Sequence, residues 1–376
     1  MKKISFALAV VLLLSCLAGC ESEKTVNPAE QGTLTISGEG VNVRQVAVDY
    51  MKAMANIKWT AGIELDYSTK GAASLIYKPG ETYLGMVYNN NATGMEKFQS
   101  VLDADNKHIG TVATWNYAPG NSCATSIEHA WQQVCPGVEY QYSVDMMPYY
   151  EDTGVLAVGD IDWSVYNGKN TNTIVSKHDR QVIFEAYAKA LPGDALVRYL
   201  DTGGHALMVT KEPVVARNDD GSINMSNSYV YLTDQNNRLH TRREYPSSWE
   251  VDREVSFSDA LADGYLPVTC AELVSGVAPD ATFEVANYPK AEDLAKGNVT
   301  GNVKCNYCIN VITMEVFSGD ELVASAVDYP YARTFGYKEL GKDLGLKDLA
   351  SGKYTLKITA EVGFGSITLV NMDFSK

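Results

Sequence analysis

The sequence predicts an α+β chain in two parts, a mixed helical and antiparallel part followed by an all-β part. Before about residue 275, apolar residues recur at helical spacing in a few segments, with strand-like runs between them. After Val277 helical periodicity nearly disappears, and short alternating runs follow one another between turn clusters. Ahead of both parts lies the apolar run Phe6 to Cys16, too short to span a bilayer as a helix.

That run follows Lys2-Lys3 and ends in Leu17-Ala18-Gly19-Cys20. It resembles the lipobox of bacterial lipoproteins, which implies that Cys20 is lipidated and becomes the first mature residue. The alternative is a plain secretory signal with a small-residue cleavage site. Residues 1–19 are read as this leader, 20–32 as a polar tether, 33–275 as a first domain and 276–376 as a second. No later stretch is long and apolar enough to cross a bilayer. The formal net charge of −15 becomes more negative once Lys2 and Lys3 leave, which argues against nucleic acid or anionic lipid as a ligand. The expected location is the bacterial cell envelope, periplasmic or outer-surface, with membrane contact through the anchor alone.

Seven cysteines are present, five of them beyond Cys16 and Cys20, so at least one is unpaired within a monomer. Cys123 and Cys135 are poor mates, because twelve residues of helix would hold them roughly 18 Å apart. Cys305-Asn306-Tyr307-Cys308 lacks the second pair of a zinc ribbon and the βαβ surroundings of a redox motif, so a local structural role is expected. No metal and no cofactor is called for.

Taken in order, Thr33 to Ile36 alternates as a short strand, and Val43 to Ile57 is a helix through Val46, Tyr50, Met54 and Ile57. Gly80 to Tyr88 is read as a strand closed by the Asn89-Asn90-Asn91 turn, and Met95 to Leu102 as a short helix. Thr111 to Tyr117 leads into a second amphipathic helix carrying Ile127, Ala130, Trp131 and Val134 on one face. Pro119-Gly120 breaks the chain before it, and Asn121 or Ser122 can cap it, which puts Cys123 in the first turn. There the free N–H groups and the helix dipole favour a thiolate. The plainer reading of Cys123 is a small buried apolar residue.

Tyr140 to Lys177 has weak periodicity and many rings, and reads either as a subdomain with its own small core or as the rim of a groove. Lys177 to Ala190 is helical. Ala195 to Leu200 and His205 to Thr210 are paired strands, with His205 at the start of the second. Asn218 to Ser222 makes the next hairpin turn, and Tyr229 to Asp234 is the outgoing strand. Beyond Val277, the runs Ile309 to Phe317, Leu322 to Val327, Lys353 to Ile358 and Ser366 to Phe374 predict a small β-sandwich. Ser275 to Asp280 has linker character. The second part carries no catalytic spacing, so it is expected to position the first, to bind a polymer, or to act as a structural buttress.

Cysteine peptidases need a thiolate, an imidazole to relay the proton and a polar group to orient that imidazole. Cys123, His205 and Asp234 occur in that order, on a helix start and two following strands. With those residues in place, residues 80–240 resemble the papain-like superfold in its bacterial form, the NlpC-type and CHAP-type peptidases and amidases. Asn121-Ser122-Cys123 with its small-residue helix is similar to the family's D-C-S-G-F helix, with Ser122 replacing the aspartate and Thr125 standing near the glycine. Leu191-Pro192-Gly193-Asp194-Ala195-Leu196-Val197 resembles L-x-P-G-D-L-V, and Gly204 to Val209 resembles G-H-V-x-x-V. Asp220-Gly221-Ser222-Ile223 is similar to the following turn. Gly85-Met86-Val87-Tyr88 is similar to G-x-P-Y, with Val87 replacing the proline. The resemblance implies a papain-like domain with an antiparallel sheet and a nucleophile helix. It also implies substrate contact at Tyr88.

The expected activity is hydrolysis of amide bonds, in cell-wall or other short peptides, through a thioester on Cys123. A peptide or a peptidoglycan-derived fragment would be the substrate. The competing expectation is a non-catalytic surface lipoprotein whose degenerate papain-like domain binds peptide or glycan. His205 would then be a structural histidine. His129, on the cysteine's own helix, is expected to be a packed or surface residue.

Overall fold

The computed structural model describes residues 33–67, 75–108, 119–140, 142–150 and 153–376. The leader, the lipidation call at Cys20, the tether and the Thr111 to Tyr117 run lie outside the described residues. The chain is α+β with several antiparallel sheets, and it divides into two compact units. One unit holds residues 38–99 and 110–279. The other holds 280–376 together with the short strand β1 (Thr33–Ile36) and residues 100–109. The division after Pro279 falls inside the expected Ser275 to Asp280 linker, but residues 100–109 and β1 group with the later residues, β1 because each of its four residues pairs with Ala281–Ala286. A four-residue strand carries no information about a partner that lies so far along the chain.

In the first unit α1 (Val43–Asn56) is capped by Asn42, whose side chain accepts from Gln45 N–H. It buries Val43, Ala47, Val48, Met51, Met54 and Ala55. The sheet is built from β2 (Lys58–Ala61), β3 (Thr82–Leu84), β4 (Val155–Ala157), β5 (Ala195–Leu200), β6 (Gly203–Val214), β7 (Tyr229–His240), β8 (Ser247–Ser256) and β9 (Leu266–Cys270). Their order is β2-β3-β8-β7-β6-β5-β9-β4, antiparallel throughout except for the β3–β8 pairing of Leu84 with Ser247. The helix α2 (Cys123–Gln132) packs against α1 and across β6 and β7, and all ten of its residues are buried. Such a helix is core rather than an amphipathic surface element. A further helix, α3 (Arg180–Lys189), starts at Asp179, whose carboxylate caps Gln181 N–H.

Several expectations on element bounds change, among them the His205 strand, which begins at Gly203 rather than at His205 and runs to Val214, and the helix expected from Lys177, which begins at Arg180. The strand expected over Gly80 to Tyr88 stops at Leu84, because Gly85 turns the chain at φ +80° with its α-carbon against the Trp249 indole. The helix expected over Met95 to Leu102 ends at Gln99. The strand bearing Asp234 runs on to His240, since β8 pairs with it through that point, so Asp234 sits mid-strand. The aromatic segment divides between its two readings. Trp163 and Tyr166 are buried in ring contact, and β4 joins the sheet, whereas Tyr142 and Tyr149 remain about half exposed.

The second unit has two four-stranded antiparallel sheets. One runs β1, β10 (Ala281–Ala286), β11 (Asn302–Ile309) and β14 (Ala332–Gly336). The other runs β13 (Glu321–Asp328), β12 (Val311–Ser318), β15 (Lys353–Val362) and β16 (Gly365–Ser375). Phe283, Val303 and Tyr307 of the first sheet share one apolar core with Met314, Leu356 and Ile358 of the second. Cys305 and Cys308 lie on β11 with alternating burial, Cys305 inward and Cys308 outward, so strand pleating separates them.

Candidate active site

The cysteine is placed by the cap of α2. Ser122 has extended backbone, its hydroxyl accepts from Thr125 N–H, and Thr125 Oγ1 accepts from Ser122 N–H at 2.8 Å. Ser122 and Thr125 thereby form a reciprocal capping box. Cys123 follows as the first helical residue, 7% exposed. Just upstream, Asn121 N–H donates to Val87 O and Asn89 N–H donates to Asn121 O, a parallel bridge that sets Tyr88 alongside the helix start. Burial, and then the nearby charge of Cys123, push the Tyr88 hydroxyl above the ordinary tyrosine range.

The histidine stands on β6, where its backbone pairs with Arg198 of β5. Its Nε2 lies 3.0 Å from Asp234 Oδ2, and Asp234 is 2% exposed against 19% for His205. The other ring nitrogen is left for Cys123, whose sulfur feels both the His205 side chain and the Ala206 N–H. The structure therefore brings Cys123, His205 and Asp234 together in that order, with Tyr88 at the thiol. His129 is buried elsewhere on α2, and burial pushes its ring down to about 3, so it is a neutral packed residue.

Electrostatics follow from this contact. Burial alone raises the thiol. The charge of His205, its hydrogen bond to sulfur and the Ala206 N–H together outweigh burial and hold Cys123 below the ordinary thiol value. For His205 burial acts downward, while the Cys123 charge and the Asp234 hydrogen bond push the ring up to about 10. Burial likewise acts to raise Asp234, but the bond to His205 and the nearby Arg253 guanidinium hold it below the usual carboxylate range. Both shifts favour a thiolate–imidazolium pair with a carboxylate behind it, the charge state that a nucleophilic sulfur requires.

A bulge positions the carboxylate's far side. Leu232 pairs with Arg253 and Asp234 with Glu250, so β8 spends an extra residue there, and Asp252 takes φ +50°. Arg253 Nη2 then lies 3.8 Å from Asp234 Oδ1, and its Nε lies 3.0 Å from Glu250 Oε2. Asn236 also acts to lower Asp234, while its Oδ1 meets His240 Nε2 at 2.9 Å, so it supports the carboxylate rather than replacing it.

Sequence reasoning missed the Ala206 N–H, Arg253, Tyr265 and Gln235. Tyr265 stands with its ring centroid 6.3 Å from that of His205 and 4.8 Å from the Arg198 guanidinium. Gln235 accepts from Ser126 Oγ at 3.0 Å and donates to Met86 O at 2.8 Å, tying α2 to the turn that carries Tyr88. Only the adjacency of Gln235 to Asp234 was a signal; the others come from distant segments. The L-P-G-D turn is also built in, since Asp194 accepts from Leu191 N–H, Thr269 Oγ1 and Arg44 Nη1, and Gly193 O accepts from the Trp131 indole at 2.7 Å.

No family model matches the chain, and neither a curated protein nor a solved structure does. Among the described residues, no helix is long and apolar enough to cross a membrane.

Proposed function

We propose that the first unit is a cysteine hydrolase of amide bonds with a papain-like arrangement, anchored to the bacterial cell envelope through Cys20. The observation that carries this reading is the placement of His205 between the Cys123 sulfur and the Asp234 carboxylate, with Cys123 in the first turn of a helix. The Cys123 thiolate attacks the substrate carbonyl carbon. The oxyanion forms beside the Cys123 N–H, one of the first-turn donors without an intrahelical acceptor. His205 gives its proton to the departing amine, leaving a thioester. A water, losing a proton to His205, then attacks the thioester, and the acid leaves as the thiolate–imidazolium pair is restored. Asp234 holds the ring in the required orientation throughout.

The substrate class is a short peptide, including the peptides of the cell wall. The half-exposed Tyr142 and Tyr149, in the segment whose Ser143 abuts Gly204 beside His205, favour a second reading in which the site only binds peptide or glycan. One experiment separates the two. The full chain is treated with iodoacetamide at pH 6 and incubated with cell-wall peptides, alongside Cys123→Ala. Fast labelling confined to Cys123, with peptide cleavage lost in the variant, is expected. Slow labelling with saturable peptide binding and no cleavage would replace the hydrolase reading with the binding one.

A further inference from the structure

Outside the candidate active site, one pair of thiols meets in the first unit. Cys135 follows the end of α2, its N–H donating to Trp131 O at 2.7 Å, and Cys270 is the last residue of β9, paired with Val155 of β4. Both are fully buried. Their sulfurs and a Glu272 carboxylate oxygen all lie within 4.8 Å of one another. Each other described cysteine is accounted for differently: Cys123 contacts His205, while Cys305 and Cys308 point to opposite faces of β11.

We propose that Cys135 and Cys270 form a disulfide that fastens the end of the nucleophile helix to the sheet. The bond closes a loop that contains both His205 and Asp234, so it restrains the unfolded chain while leaving the folded site where it is. Two thiols packed at this separation in an apolar interior gain little from remaining reduced. Burial, and then the second sulfur, disfavour a thiolate on Cys135. The lipoprotein-like leader implies an export route in which such bonds persist. The step balances through a disulfide-carrying donor of the glutathione or dithiol-oxidoreductase class. One cysteine thiolate attacks a donor sulfur and releases a donor thiol. The second cysteine then displaces the remaining donor thiol. Two protons leave the protein, its sulfur pair is oxidised by two electrons, and the donor is reduced by two. Because both sulfurs are buried in the fold, the exchange occurs as the chain closes. A metal site is the weaker reading of the same atoms, since two sulfurs and one carboxylate fall one short of the four ligands of a structural zinc centre.

The test uses the unaltered full chain, folded in a glutathione redox buffer, then denatured and alkylated without reductant. Expected is alkylation of Cys123, Cys305 and Cys308, with Cys135 and Cys270 recovered in one cross-linked peptide that reductant separates. The melting temperature read by tryptophan fluorescence should fall by on the order of 10 °C when reductant is added. Cys135→Ala and Cys270→Ala should melt near the reduced value and ignore reductant. Alkylation of Cys135 and Cys270 as complete as that of Cys305 would overturn the proposal. So would one equivalent of zinc that shields both thiols until a chelator removes it. Neither result bears on the reactivity of Cys123, so the hydrolase reading stands or falls separately.

Discussion

Glu128 offers a direct test of the electrostatics of the nucleophile helix. It lies one turn beyond Cys123, 7% exposed, and its Oε1 accepts from Tyr140 N–H at 3.0 Å and Gln132 Nε2 at 3.2 Å. Burial is the largest influence on its carboxyl and pushes it up to about 7 from an ordinary value of 4.5. Such a raise means that the folded state favours the protonated form. Below about pH 4.5 both folded and unfolded chains are protonated and nothing is lost. As the pH climbs, the unfolded chain ionises first and stability falls, until near pH 7 the folded form ionises too and the penalty is complete. A difference of about 2.5 units is about 3 kcal/mol. Glu128→Gln keeps an oxygen for both donors and removes the charge. It should therefore stabilise the first unit by about 3 kcal/mol at pH 8 and by under about 1 kcal/mol at pH 5. All five tryptophans lie between Trp59 and Trp249, so urea unfolding followed by their fluorescence reports this unit alone. Equal effects at the two pH values, or a loss of stability at pH 8, would refute the reasoning.

Three further outcomes are expected. Asp234→Asn retains an acceptor for His205 Nε2 but not its charge. A charge-assisted bond of about 1.5–3 kcal/mol then becomes an ordinary one, and His205 should titrate about 1–2 units lower. The upper inflection in the pH profile of Cys123 alkylation reads that change, and an inflection still near pH 10 would contradict it. Gly85→Ala puts a Cβ 2.2 Å from Trp249 Cδ1 at a φ of +80°, and should destabilise the first unit by about 2 kcal/mol or more in the same fluorescence assay. Cys20→Ser should release the protein from membranes with its fold intact; sedimentation with membranes after a salt wash would rule out the anchor.

Much of the site was legible because its members each carry a local signature. Pro119-Gly120 before a capping serine places Cys123 at a helix start, and that start survives in the structure as the Ser122–Thr125 box. Alternation over Ala195 to Leu200 and His205 to Thr210, joined by glycines, gives a hairpin, and the structure sets its register with Arg198 opposite His205. Asp234 was readable as a strand residue, but not its place within the strand, since that depends on how far β8 accompanies β7. The bulge at Asp252 carries no local signal. It is held by Thr233 Oγ1, Thr210 and the lysines Lys52 and Lys211, residues scattered over some two hundred positions of chain.

The sequence by itself determined the element types, the helix cap under the cysteine and the chain order of thiol, imidazole and carboxylate. Each of these depends on neighbours a few residues away: the period of apolar side chains, or a hydroxyl within reach of the next free N–H. Tertiary structure decided the rest. It paired Thr33–Ile36 with Ala281–Ala286, brought Cys135 to Cys270, and gave the Cys123 sulfur the Ala206 N–H and the His205 ring. These contacts join segments far apart along the chain, and no local propensity encodes them. Their consequence is chemical as well as architectural. A buried thiol left to itself would hold its proton more tightly, and it is the folded neighbourhood of His205 and the Ala206 N–H that lowers it.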